Sequence, residues 1–269
     1  MQVKPLSAAV GAEIIGYDIH APADAMTADQ LRAAFRAHHL LLLRDPDVSE
    51  AEQSRFAQIF GEITIRNRYA DNKGPANNTQ YVSNNRADGI LGDGEIVYHQ
   101  DHTFYDQPLT AIMLYGIEVP TSGSATKFRN TSAILERLPR ELRAQAESVK
   151  CLHLYDYNGD YTKWQDPKKA SPDSPRAWHP LVWTNPKTGQ QALWAIPIST
   201  VDFEGIPFDE GKTLLDQVWE FANGIDADYT YVHHWAPGDL VIWNNLMLQH
   251  ARLPFNSNEP RTLRRTPIV

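Results

Sequence analysis

The chain of 269 residues holds a single cysteine, Cys151. No disulfide can form within it, and a cysteine-rich zinc cluster is excluded. One thiol in so long a chain fits a reducing, cytoplasmic setting. Long apolar runs are missing as well, since no stretch approaches the roughly 18 uncharged residues of a membrane span. The opening "MQVKPLSAAVGAEIIGYDIH" lacks a basic segment followed by an apolar one, so neither a signal peptide nor a membrane helix is expected. Positive charge is in short supply: 25 Lys and Arg stand against 33 Asp and Glu, a net charge of -8. The broad basic field of a nucleic-acid surface is therefore absent. A local arginine cluster can still take a small anion.

What is present is a core-forming hydrophobic fraction of 42%, which fits one domain over residues 1–269. Helices are predicted in "MTADQLRAAFRAHH", with Thr27 as cap, and in "SEAEQSRFAQIFG", where Ser49 is followed three residues on by Glu52. "TSAILERLPRELRAQAE" reads as helical with a break near Pro139, and "GKTLLDQVWEFANG" as one more helix. Short strand-like runs fill much of the rest: "LLLLRD", "TQYVSNN", "TAIMLYGIEVP", "HPLVWTN", "QALWAI", "TYVHHW", "DLVIWNN" and "RRTPIV". Many short strands between turn signals predict a mainly β fold, a sandwich or barrel, with flanking helices. Residues 155–178 are polar, proline-rich and aperiodic, and read as a lid or access loop.

The stretch "YHQDHTF" places His99 and Asp101 two residues apart in a run that reads as strand, so both face one side and Gln100 the other. Two donors do not make a site. The third must come from His153, His179, His233, His234 or His250. Context favours His250, which closes "PGDLVIWNNLMLQH" and precedes the basic "PRTLRRTPIV"; His233 and His234 read as alternating between core and solvent. Two imidazoles and a carboxylate with open positions are the donor set of non-haem Fe(II) oxygenases. Zinc doing hydrolysis uses the same donors, so the set alone leaves the metal open. Arg261, eleven positions past His250, would hold a carboxylate if its strand returns beside the metal. Arg265 has the same parity. Arg264 faces the other way and reads as solvated.

These residues, with "RFAQIFGEI", "YHQDHTFYDQPL", "GSATKF", "HHWAPGDLVIWNNLMLQHAR" and "EPRTLRRTPI", resemble the taurine dioxygenase / TfdA family of Fe(II)- and 2-oxoglutarate-dependent dioxygenases nearly end to end. The resemblance implies a double-stranded β-helix (jelly-roll) core. It implies that His99, Asp101 and His250 ligate Fe(II), that Arg261 and Thr126 bind the distal carboxylate of 2-oxoglutarate, and that Trp243 packs near the cosubstrate. Arg265 matches the arginine that meets a substrate anion in taurine-type members. Tyr69, Tyr98 and Phe104 are candidates for an aromatic substrate wall, and His102 for a polar wall residue or acid–base group. The implied reaction consumes 2-oxoglutarate and O2, releases succinate and CO2, and hydroxylates a small organic substrate, a carboxylate or sulfonate. Relatives commonly form homo-oligomers.

Overall fold

The run Leu40–Leu43 forms a strand that is buried at every position. A continuous apolar run of this kind fits a strand covered on both faces. In the computed structural model, which describes residues 1–44, 47–64, 80–92, 94–121, 123–156 and 166–269, both covers are visible. Leu41 and Leu43 join a cluster with Leu31 and Ala34 of helix Ala25–His38 and Phe56 of helix Glu50–Ala57. Leu40 and Leu42 join a second cluster with Phe128 and Leu248, which belong to another sheet. The neighbouring strand Leu240–Asn244 divides its side chains in the same way. Leu240 and Ile242 meet the helices, while Val241 and Trp243 lie between the sheets.

The larger sheet runs in the order Gln2–Pro5, Ala12–Ile15, Leu40–Leu43, Leu240–Asn244, Ala111–Glu118, Thr262–Ile268, Gln80–Ser83, Gly89–Ile90. The smaller one is antiparallel throughout, in the order Thr230–His234, Ala125–Asn130, Leu248–Arg252, Ile96–His99. Two sheets sharing one apolar core, with helices outside the larger, make the jelly-roll that the resemblance implies. A further three-stranded sheet, Arg176–Pro180, Lys150–Leu154 and Thr200–Glu204, packs with helices Thr131–Arg137, Arg140–Glu147 and Phe208–Gly224 around Leu135, Cys151, Phe203 and Leu215. Burial pushes the Cys151 thiol up to about 12, so it is an inert core residue. Among the described residues no helix is long and apolar enough to cross a membrane.

Local signals hold in most places. Ser49 and Glu52 form the reciprocal capping box, and the Pro139 break separates two helices. Two expectations are corrected. Asp24, not Thr27, caps the first helix, its carboxylate accepting from the Thr27 backbone N–H at 2.7 Å. Both are good cap residues, and the helix begins three residues earlier than a Thr27 cap would place it. Arg264 is not solvated. It turns away from Arg261 and Arg265, as its parity requires, but the side it turns to lies under helix Glu50–Ala57 and is buried. There its guanidinium donates to the Gln53 side chain and the Val48 carbonyl and lies 4.8 Å from the centre of the Tyr115 ring. Of the expected access loop, residues 157–165 lie outside the described residues, and the far end is already the strand Arg176–Pro180.

Candidate active site

His99 ends the strand Ile96–His99, and His250 is its cross-strand partner in Leu248–Arg252. Cross-strand pairing brings the two rings to a centroid separation of 4.2 Å. Asp101 follows the strand in a turn. Asn245 holds that turn from both sides, its amide oxygen accepting from the Asp101 N–H at 2.8 Å and its amide nitrogen donating to the Asp101 carbonyl at 2.9 Å. The Asp101 Oδ1 atom then lies 3.2 Å from His99 Nε2 and 3.7 Å from His250 Nε2. One donor atom from each of the three residues falls within 4.8 Å of the others, the spacing of groups that share one ion.

Protonation suits a metal. A carbonyl can only accept, so His99 Nδ1 carries the hydrogen in its 2.8 Å bond to the Val97 carbonyl, and the Nε2 lone pair faces Asp101. Burial, reinforced by His99, pushes His250 down to about 3 and leaves it neutral. Burial would raise the Asp101 carboxyl. The Arg265 guanidinium overrides that and holds the group well below the usual carboxylate range. His250 is thus a neutral imidazole and Asp101 a carboxylate, and the Nδ1 bond of His99 leaves its Nε2 as the nitrogen that can ligate. The residues present fit a divalent ion.

The remaining candidates sort into three groups. His153 and His179 are occupied elsewhere, His153 with the Ser199 hydroxyl at 3.0 Å and His179 with the Tyr105 carbonyl at 3.0 Å. His233 is buried 3.3 Å from Asp239 and His234 is exposed, the alternation expected of them. Near the centre, Trp243 lies 4.8 Å from the His250 ring and Phe128 packs against both. His102 is buried with a φ of 63°, a left-handed backbone that costs a non-glycine residue about 1–2 kcal/mol. Strain of this kind clusters at functional sites. Phe104 packs beside His102 and stacks on Tyr155 at 4.8 Å.

Tyr98 is a correction. It directly precedes His99 on a strand, so its ring turns to the opposite face, where its hydroxyl donates to Asp226 at 3.1 Å. It does not line the pocket. Tyr69 lies outside the described residues.

Arg261 is 2% exposed. Its Nε donates to the Ser124 hydroxyl at 2.9 Å, and Ser124 is two residues from Thr126, whose hydroxyl accepts from the Trp235 indole at 2.9 Å. Arg261 Nη1 is buried with no hydrogen-bond partner among the described residues. Burial, then the neighbouring Arg252, pushes Arg261 down to about 9. A buried guanidinium with an unspent N–H and a second cation beside it is an anion socket. Arg265 is arranged differently, with Nη2 donating to Asp101 Oδ2 at 2.6 Å and Nη1 to the Gln80 side chain. Sequence reading did not foresee Asn245 or Ser124 here. The only signal was the polar pair ending "VIWNN" for the first, and the small-residue lead-in to Thr126 for the second.

Two imidazoles and a carboxylate on the wall of a jelly-roll define a non-haem iron oxygenase site. Comparison with known proteins agrees. Residues 2–266 match the family described as "Taurine catabolism dioxygenase TauD, TfdA family", and the chain belongs to it. The chain is 28% identical to (S)-phenoxypropionate/alpha-ketoglutarate-dioxygenase of Sphingobium herbicidovorans, over 97% of this chain and 92% of the relative. It is 27% identical to pentalenolactone F synthase of Streptomyces avermitilis, over 97% and 91%. The solved structure of a taurine dioxygenase from Burkholderia xenovorans superposes with a TM-score of 0.80 at 26% identity, covering 100% of this chain and 90% of that one. The protein is a 2-oxoglutarate-dependent dioxygenase, an oxidoreductase that uses Fe(II), 2-oxoglutarate and O2.

Proposed function

We propose that His99 Nε2, Asp101 Oδ1 and His250 Nε2 hold the ferrous ion, that Arg261 with Thr126 takes the distal carboxylate of 2-oxoglutarate, and that the chain hydroxylates a C–H bond of a small carboxylate or sulfonate. The observation that carries this reading is a pairing: three convergent donors at the smaller sheet, and at the head of the larger sheet's strand Thr262–Ile268 a buried arginine that reaches Ser124 and keeps an unspent N–H. A zinc hydrolase would use the three donors and leave Arg261 without a task.

Iron and 2-oxoglutarate, when bound, supply O2 activation coupled to cosubstrate decarboxylation. The chain's own residues set the geometry. The Val97 carbonyl fixes the His99 tautomer, and Asn245 fixes the Asp101 backbone. Arg265 ties down Asp101 Oδ2 and leaves Oδ1 toward the two imidazoles. Arg261 orients the diacid by its far end, and Trp243 and Phe128 keep water from the His250 side. His102, Phe104 and Tyr155 form the aromatic wall proposed to meet the substrate carbon skeleton. A guanidinium has five donors, and those that Arg265 does not spend on Asp101 and Gln80 are proposed for the substrate anion. The phenoxypropionate relative supports a substrate that is both aromatic and anionic.

Anaerobic addition of Fe(II) and 2-oxoglutarate is expected to give a visible charge-transfer band. Screening aryl carboxylates and sulfonates is expected to find ones that stimulate succinate release. Absence of the band, with zinc-supported turnover that needs no O2, would sink the reading.

A further inference from the structure

The ladder joining the two histidine-bearing strands is slight. Ile96–His99 is a four-residue edge strand, and its register with Leu248–Arg252 runs from His250↔His99 to Arg252↔Ile96 across a bulge. So short a ladder, interrupted by a bulge, offers few backbone hydrogen bonds to hold His250 opposite His99. Side-chain bonds can add to them.

The opposite face of the same sheet carries a candidate. Alternation sends Gln249, beside His250, to that face, which helix Phe208–Gly224 covers. Arg129, the cross-strand partner of Gln249, is 1% exposed. Its Nε and Nη2 both donate to Gln249 Oε1, at 2.9 and 2.6 Å, and its Nη1 donates to the Asn223 side chain at 2.7 Å. Only an oxygen can accept from a guanidinium, so this bond also fixes which way the Gln249 amide points. The Gln249 nitrogen is left to donate to Gln100 Oε1 at 3.2 Å and to the Ala195 carbonyl at 2.7 Å. Gln100 adjoins His99. The Arg129 guanidinium also lies 4.1 Å from the centre of the Tyr98 ring, on the other side of His99. One side chain therefore grips the residue before His250, and touches or reaches through an amide the residues on either side of His99.

Among the described residues no carboxylate hydrogen-bonds to this guanidinium, which binds two amides and lies over the Tyr98 and Trp219 rings. The Asp226 carboxylate, held by the Tyr98 hydroxyl and Lys127, attracts it only from a distance. Burial pushes Arg129 down to about 10, so it stays charged at neutral pH. Burying a charge whose direct hydrogen-bond partners are all neutral is expensive, and apolar packing of the same volume is often as stable. The arrangement makes more sense as a device for specificity than as a source of stability.

We propose that Arg129 is a positioning residue for the metal centre, holding the His250 strand in register with the His99 strand through Gln249 and Gln100. The inference rests on the reading that His99, Asp101 and His250 bind the metal. The test is anaerobic titration of the metal-free full-length protein with Co(II), read by its ligand-field spectrum, alongside thermal melts. In Arg129→Met the fold is expected to persist, the Co(II) dissociation constant to rise by about 10–100-fold, the size typical of losing a residue that orients a metal ligand, and the spectrum to change shape. Arg129→Lys is expected to recover part of the loss. Gln100→Leu removes only the last link, leaves Arg129's own bonds intact, and is expected to weaken Co(II) in the same direction. Unchanged affinity and spectrum in folded Arg129→Met overturn the proposal; if that variant does not fold, the same result in Gln100→Leu does. The control is His99→Ala. If it binds Co(II) as the parent does, the metal assignment itself fails and takes the proposal with it. Loss in His99→Ala with no effect in Arg129→Met defeats the register clamp alone.

Discussion

Asp101 faces two demands at once. Oδ1 must be open to an ion between two imidazoles, and Oδ2 must be prevented from competing for it. Arg265 meets the second demand with its 2.6 Å bond. Two roles for Arg265, anchoring the ligand and anchoring the substrate, then give different kinetics. Arg265→Met frees Oδ2, and the expected result is a 10–100-fold weaker Fe(II) affinity together with a raised substrate KM. A KM effect with unaltered metal affinity would assign Arg265 to the substrate alone. Arg261 offers a cleaner case, because it touches none of the three metal donors and its Nη1 is unspent, the guanidinium's one hydrogen bond among the described residues being the Nε bond to Ser124. Hydrogen bonds to charged groups contribute about 1.5–3 kcal/mol. Arg261→Gln is therefore expected to raise the KM for 2-oxoglutarate roughly 10- to 100-fold, with metal affinity retained. Substrate-independent succinate release measures it, and an unmoved KM would remove Arg261 from the cosubstrate site.

Alternating arginines on one strand show how far sequence reading goes and where it stops. Strand parity correctly separates Arg264 from Arg265 along Thr262–Ile268. It cannot reveal that helix Glu50–Ala57 covers the outer side, because that contact joins residues over 200 positions apart. Tyr98 is the opposite lesson. Strand parity at His99 already turns Tyr98 away, so its location was legible in "YHQD". The same parity does not account for Asp101, which was expected on the strand and lies past its end in a turn that Asn245 holds. The Arg129–Gln249 clamp was not legible, since a lone arginine in "ATKFRN" carries no pattern. Metal donors were readable because ligation demands particular residue types, whereas the groups that orient them are set by packing. The Arg264 latch can be tested through its partner. Gln53 receives the guanidinium and donates to the Arg264 carbonyl and the Thr266 hydroxyl, all in a buried setting. Gln53→Leu strands those groups and is expected to destabilise the protein by about 2–3 kcal/mol, measured by urea unfolding. A loss below 0.5 kcal/mol, the ordinary size for an uninvolved surface position, would mean that the helix is held by its apolar contacts alone.

Several histidines are buried as neutral rings across the fold, and together they set how the protein responds to acid. Burial pushes His39 down to about 4, His153 to about 3 and His250 to about 3, from an ordinary value of 6.5. Unfolding returns each to water, where it binds a proton below 6.5. Between that value and the folded values the unfolded chain holds more protons than the native one, so stability rises with pH. The contribution is fully present above about pH 6.5 and is lost as pH falls through the folded values. Each ring adds at most about 1.4 kcal/mol per pH unit to the slope. His153 is the ring to change, because it touches none of the proposed metal ligands and makes one hydrogen bond, to Ser199. His153→Gln can keep that bond and removes the proton. In metal-free protein, urea unfolding at pH 7, 6 and 5 is expected to show a shallower acid decline for the variant, by up to one ring's share. Parallel curves would mean that His153 is protonated equally in the folded and unfolded states. The histidine share of the acid sensitivity would then have to come from the other buried rings, His39, His179, His233 and His250, of which metal should protect His250.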